Sequence, residues 1–321
     1  MRSCGYRLGV RARRSCLAVP GSQPRFHAKA DQSAADQIFL DLEDAVAPAA
    51  KAGARALVVE ALRGFDFRGK TRVVRVNGCD TEWCYADVIE VVEGAGDRLD
   101  CVMIPKVESS DDVRFVETLL TQLERKLRLD RRIGLELQIE SARGMENVEA
   151  IASASTRAET LIFGPADFSA SLRMPELTAG RLKPEYPGDY WHYFLARIIV
   201  AARAHGLQAI DGPYAQIKDV DGLRTFAERA AMLGYDGKWA LHPGQIDVLN
   251  EVFSPRQADF DKANAILAAY QRATEVDKAG AMMLGDEMID EASRKMALVM
   301  VERGRALGMQ ARPWSPPRAT K

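Results

Sequence analysis

Short apolar runs alternate with amphipathic stretches along almost the whole chain. Eight runs stand out: SCLAVP (15–20), QIFLDLED (37–44), TRVVRVN (71–77), CVMIPKV (101–107), IGLELQIES (133–141), ETLIFGPAD (159–167), LQAIDGPY (207–214) and GKWALHP (237–243). Each is rich in Val, Ile or Leu and bounded by Gly, Pro or polar residues, which predicts strands buried on both faces. Between them lie stretches such as 49–64 and 110–127, whose apolar residues recur near helical spacing. Eight strands each followed by a helix predict an α/β fold, a (β/α)8 TIM barrel. A doubly wound sheet can also hold eight strands, but no G-x-G-x-x-G follows the first run, so dinucleotide binding has no support. Two further helical stretches, 257–275 and 287–307, joined by KAGAMMLGD (278–286), are surplus to the barrel. The expected organisation is a basic N-terminal tail at 1–14, a barrel at 15–254, a C-terminal helical lid or oligomerisation segment at 255–310 and a disordered tail at 311–321.

Composition narrows the partners. The 321 residues carry 44 Lys+Arg against 45 Asp+Glu, a net charge of −1, which argues against an extensive basic surface for nucleic acid or anionic lipid. The most apolar helical stretch, YFLARIIVAARA from Tyr193, is broken by Arg197 and Arg203, whereas a membrane span needs about 20 uninterrupted residues. No membrane partner is expected. Arg2, Arg7, Arg11, Arg13 and Arg14 come with no acid, but no long apolar segment follows them. They are read as a basic tail or an overlong start, with organelle import the lesser alternative. The five cysteines include no C-x-x-C pair, against a disulfide framework or structural zinc and in favour of a reducing cytoplasm.

The polar residues collect at one place in each unit. Glu43 and Asp44 end the second run, Arg75 and Asn77 the third, Lys106 the fourth, Glu140 the fifth, Asp167 the sixth, Asp211 the seventh and His242 the eighth. In a barrel, C-terminal strand ends surround a single mouth, where active sites of this fold lie. In the fifth run Leu135, Leu137 and Ile139 share one face and Glu136, Gln138 and Glu140 the other, which predicts an inward polar face. Glu140 and Asp167, two carboxylates with no cysteine or spaced histidine nearby, suit a hard cation such as Mg2+, with Mn2+ an alternative. They could equally form an ion network with Arg75 and Lys106. Arg75 offers a fork of donors for a carboxylate or developing oxyanion, or else neutralises Glu43 or Asp44. Glu43 and Asp44 are catalytic candidates: of Asp41, Glu43 and Asp44, some are expected to orient Arg75 or the metal waters and some only to cap the next helix. Pro165 and Ala166, just before Asp167, are expected with Arg75 to touch substrate. Arg25 and Lys29, one turn apart at a loop-to-helix junction, form either a phosphate anchor or a solvated helix start. His242 is expected to be a hydrogen-bonded packing residue.

At these residues the chain resembles the citrate lyase β-subunit-like CoA-ester lyases of the HpcH/HpaI aldolase superfamily. The matching segments include VPGSQPRF (19–26), FLDLEDAVAP (39–48), RVVRVNG (72–78), MIPKV (103–107), QIESARG (138–144), FGPADFSAS (163–171), DGPY (211–214), KWALHPGQI (238–246) and GDEMIDEA (285–292). VVEGAGDRLD, GKWALHP and NEVFSP look closest to malyl-CoA and methylmalyl-CoA lyases. The resemblance implies a TIM barrel whose C-terminal lid closes over a neighbour in a homotrimer or homohexamer. It implies Mg2+ on Glu140 and Asp167, a small 2-oxo acid such as glyoxylate on the metal, and Arg75 at the thioester enolate oxygen. It further implies Asp290 as acid/base from the adjacent chain and Arg25 and Lys29 near the phosphates of coenzyme A. The activity implied is cleavage or formation of a 3-hydroxyacyl-CoA thioester. Alternatives are a malate synthase or malyl-CoA thioesterase activity, a citrate-lyase-like subunit, a non-catalytic scaffold, or an aldolase that needs no CoA. The span 173–189 looks shorter than in malyl-CoA lyases, so acyl-chain preference is expected to differ.

Overall fold

In the computed structural model, which describes residues 11–314 apart from 176, 179–181 and 184, the chain divides into two units, Met1–Phe253 and Ser254–Lys321. The first is a closed barrel of eight strands in sequence order. They are β1 (Ser15–Pro20), β2 (Gln37–Asp41), β3 (Thr71–Arg75), β4 (Cys101–Ile104), β5 (Gly134–Ile139), β6 (Ala158–Phe163), β7 (Gln208–Asp211) and β8 (Gly237–Ala240). Every neighbouring pair is parallel, and β1 closes on β8 with Cys16 opposite Trp239. The barrel predicted from the pattern is therefore present, with its strands shorter than the apolar runs. The polar residues that end most runs lie just past the last ladder residue.

The connecting helices are α1 (Pro24–Asp31), α2 (Lys51–Gly64), α3 (Cys84–Ala95), α4 (Ser110–Leu127), α5 (Ala142–Glu146), α6 (Val148–Ala152), α7 (Pro165–Ser171), α8 (His192–Ala204), α9 (Val220–Leu233) and α10 (Ile246–Val252). Side-chain alternation sorts the strands into two layers. Cys16, Phe39, Val73, Cys101, Met103, Ile162, Ile210 and Trp239 fill the barrel interior. Leu17, Ile38, Leu40, Val74, Leu135, Leu137 and Leu161 belong to the larger core under the helices. Among the described residues no helix is long and apolar enough to cross a membrane.

The barrel floor corrects one expectation. Arg2, Arg7 and Cys4 lie outside the described residues, but Arg13 is 2% exposed and its guanidinium plugs the N-terminal end of the barrel. It donates to Gln37 (2.9 Å), Glu136 (2.8 Å), Gln208 (2.5 Å) and Glu159 (2.7 Å). Arg11 pairs with Glu159 (2.6 Å) and Arg14 with Asp36 (2.7 Å). These three arginines are built into the fold, because the inward Glu136 is buried and needs a charged partner. Gly237 permits the insertion: a Cβ there would lie 1.7 Å from the Arg13 carbonyl oxygen.

In the second unit α11 (Gln257–Glu275) and α12 (Glu291–Ala306) pack through Phe260, Ala263, Ala297 and Val301. An antiparallel hairpin joins them, β9 (Met282–Leu284) with β10 (Glu287–Ile289), turning at Gly285 with φ 64°. Residues 287–289, expected to open the last helix, are thus strand. The helix begins only after Asp290, whose side chain caps it by accepting from the Ser293 N–H (3.0 Å). Of the expected C-terminal tail, 315–321 lies outside the described residues.

Candidate active site

β2 and β3 run in register so that Asp41 stands beside Arg75. Asp41 accepts from Nε (2.8 Å) and Nη2 (2.7 Å) of Arg75, and also from the backbone N–H groups of Glu43 (2.9 Å) and Ala45 (3.1 Å). This bidentate clamp fixes the guanidinium plane. The guanidinium rests against Trp239, 5.2 Å from the ring centroid. Nη1 is the least committed edge, 3.3 Å from Glu43 and 3.5 Å from Gln138. Burial alone would lower the pKa of Arg75, but Asp41, then Glu43 and Glu140, raise it, so the charge is permanent. Glu43 is buried and pushed above the usual carboxylate range, since desolvation outweighs Arg75 and Lys106. Burial would raise the exposed neighbour Asp44 as well. Its hydrogen bond with Glu43 and the charges of Arg75 and Lys106 pull it below the usual range instead.

Glu140 follows β5 and Asp167 lies in the first turn of α7, after β6. Both line one cavity of about 280 Å3, together with Lys106, Glu108, Asp112 and Ser141 among others. Glu140 is 2% exposed and accepts from the Lys106 backbone N–H (2.7 Å) and from Gln138 Nε2 (2.6 Å). Desolvation pushes it up to about 8, against Arg75 and with Asp167 and Glu43 adding to the rise. Gly164 makes room for it, since a Cβ there would stand 2.5 Å from Glu140 Cβ and Oε2. Asp167 is 41% exposed, with Lys106 Nζ 3.9 Å away. Among the described residues no group of three or more His, Cys, Asp or Glu is arranged to hold a metal. The donor set fits a hard cation held by two carboxylate oxygens, with solvent and substrate oxygens completing the shell. A buried carboxyl with so high a pKa is a group that a cation would ionise. Lys106 also bridges to Glu43, so an ion network and the carboxylate pair coexist at the mouth.

The other expected residues divide. Pro165 is buried at the first position of α7, and Ala166 is exposed beside it. Arg25 and Lys29 lie exposed on α1, with the Arg25 guanidinium 4.7 Å from the Phe26 ring. His242 is exposed and caps a short 3-10 turn by accepting from the Gly244 N–H (3.0 Å), so it is hydrogen-bonded but is not a packing residue. Asp211 does not face the mouth: its neighbour Ile210 points inward, so alternation turns Asp211 to the helix side, where Lys238 Nζ donates to it (2.6 Å). Asn77 is buried behind the mouth, accepting from Lys51 Nζ (2.6 Å) and donating to Asp87 (2.6 Å). Lys51 also donates to the carbonyls of Leu42 (3.0 Å) and Glu43 (2.9 Å), which fixes the turn carrying Glu43 and Asp44. The Lys51–Asn77–Asp87 network has no sequence signal beyond three polar residues at helical or loop positions. Asp290, in the second unit, is held below the usual carboxylate range by the Ser293 N–H and hydroxyl.

Comparisons with known proteins agree with this architecture. Residues 14–243 match the family model described as HpcH/HpaI aldolase/citrate lyase. The chain is 42% identical over 303 residues to the L-malyl-CoA/beta-methylmalyl-CoA lyase of Cereibacter sphaeroides, covering 92% of this chain and 95% of the relative. It is 40% identical over 260 residues to a (3S)-malyl-CoA thioesterase of the same species, covering 81% of this chain and 84% of that one. Among solved structures, CitE of Mycobacterium tuberculosis in complex with magnesium, acetoacetate and coenzyme A superposes with a TM-score of 0.70 at 30% identity, covering 92% and 98% of the two chains. On the barrel, its mouth and these matches together, the chain belongs to the HpcH/HpaI aldolase/citrate lyase family.

Proposed function

We propose that this protein is a Mg2+-dependent carbon–carbon lyase that splits, or forms, a 3-hydroxyacyl-CoA thioester such as malyl-CoA or methylmalyl-CoA. The observation that carries the reading is the mouth itself, where Glu140 and Asp167 open on one cavity and an arginine clamped by Asp41 is placed close by. A relative 42% identical over almost the whole chain and named for this reaction supports it. Cleavage takes the proton from the β-hydroxyl, breaks the Cα–Cβ bond and leaves a 2-oxo acid and a thioester enolate. A divalent cation held by Glu140 and Asp167 would lower the pKa of a hydroxyl bound to it. Arg75 supplies the other end of the reaction, its Nη1 edge, held only by the longer contacts to Glu43 and Gln138, donating to the developing enolate oxygen. Asp41 keeps that edge aimed, and Glu43 and Asp44 form the rim beside it. Asp290 is assigned as the group that takes up the β-hydroxyl proton in cleavage and returns it to the enolate carbon, and that removes the carbon-bound proton in the condensation direction. Its ionised carboxylate is the form that proton uptake needs.

Arg25 and Lys29 are assigned to the phosphates of coenzyme A, and Pro165 and Ala166 to substrate contact. The C-terminal unit is read as a lid that brings Asp290 to the mouth of a neighbouring chain in a homotrimer or homohexamer, in the cytoplasm. A thioesterase reading is kept as the alternative because one relative at 40% identity carries that name. Incubation with malyl-, methylmalyl- and citramalyl-CoA, with products resolved, separates the two. The lyase reading requires acyl-CoA and 2-oxo acid in equal amounts, abolished by EDTA. Release of free CoA with intact hydroxy acid establishes the thioesterase.

A further inference from the structure

We propose that Lys106 is a positioning residue for the barrel mouth: its backbone N–H fixes Glu140, and its ammonium aims Glu43 while tempering the pull of Asp167 on a divalent cation. The proposal rests on the reading of Glu140 and Asp167 as metal ligands. Lys106 has φ of 50°, a left-handed conformation that disfavours any residue with a Cβ. Glycine would serve that backbone better, so a lysine here calls for a role of its side chain. The turn carries the N–H of Lys106 to Glu140 Oε1 (2.7 Å) and sends the side chain across the mouth. There Nζ donates to Glu43 Oε1 and lies 3.4 Å from Asp44 Oδ1 and 3.9 Å from Asp167 Oδ1. Glu43 is buried and needs a donor, whereas Asp167 is 41% exposed and does not. The charge opposite Asp167 therefore answers no desolvation need of that residue. It acts instead on whatever else Asp167 binds. An ammonium this close to one ligand repels a divalent cation at the same ligand.

Removing the ammonium should then move two quantities in opposite directions. A purely structural lysine would weaken both. Lys106→Gly keeps the left-handed backbone and its N–H while deleting the ammonium, and a melting scan establishes that it folds. Titration calorimetry with Mg2+ should show its Kd falling about tenfold below that of the wild type. The kcat for thioester cleavage should fall at least about a hundredfold, because Glu43 loses the ammonium that holds its Oε1. Lys106→Arg, which keeps the charge, should return the Kd to within about threefold of wild type. An unchanged or weaker Mg2+ affinity in a folded Lys106→Gly, or a kcat within threefold of wild type, overturns the proposal. Failure of the wild type to bind Mg2+ at all would instead bring down the metal-site reading on which it stands.

Discussion

At Glu140, burial outweighs the guanidinium of Arg75 and raises the carboxyl to about 8. The folded value lies above the ordinary one, so the protonated carboxyl stabilises the fold at low pH. That contribution is lost as the pH rises toward 8. Mg2+ needs the ionised form, so its affinity should rise about fiftyfold between pH 6 and 8, levelling off toward pH 8, and it should raise the melting temperature more at pH 8 than at pH 6. Calorimetric Kd values independent of pH across that range would contradict this. At this scale the sequence already pointed to Arg75, Glu140 and Asp167, because a polar residue at the end of an apolar run stands out. It did not point to the left-handed turn at Lys106, and it left open which of Asp41, Glu43 and Asp44 orients Arg75, since these depend on one backbone angle and on register between strands. Asp211 shows how one position decides a role. A single step along the strand moves a side chain from the interior to the helix side.

The strands were legible as elements because burial on both faces leaves continuous apolar runs, and helical spacing marked 110–127 as α4 to the residue. The hairpin 282–289 was hidden, since three-residue strands are too short to show a period and Met, Leu and Ile suit a helix as well. The arginines before β1 were misleading for a different reason: a run of like charge in sequence usually means a solvated tail. Here the cation is demanded by Glu136, more than a hundred positions away, which is itself buried and raised by desolvation. Arg13→Ala leaves Glu136 with only Gln37 and no charged partner in the barrel floor, and should cost about 3–5 kcal/mol in urea unfolding. Pairing Arg13→Met with Glu136→Gln should recover part of that loss, since no charge is then left unpaired. A single-variant loss below about 1 kcal/mol would mean that the floor does not depend on this ion pair.

In the proposed mechanism the chemical groups lie in two units. The barrel carries the clamped arginine and the carboxylate pair, and the C-terminal unit carries Asp290 at the start of α12. From the residues alone Asp290 reads only as an acid near a helix N-terminus, favourable to the macrodipole; the family resemblance gave it a chemical role, and the structure shows it capping α12, with bonds that lower its pKa further. The two roles can be separated, because Asn caps a helix about as well as Asp but cannot take up or give a proton. The most direct measurement is the rate of acyl-CoA and 2-oxo acid release from malyl-CoA under saturating Mg2+, for wild type and Asp290→Asn, with EDTA controls. The account predicts cleavage by wild type that EDTA abolishes. In the variant it predicts a fall of at least about a thousandfold, with Mg2+ affinity unchanged and the melting temperature within about 1 °C of wild type. Full activity in Asp290→Asn, or cleavage that survives EDTA, would contradict it.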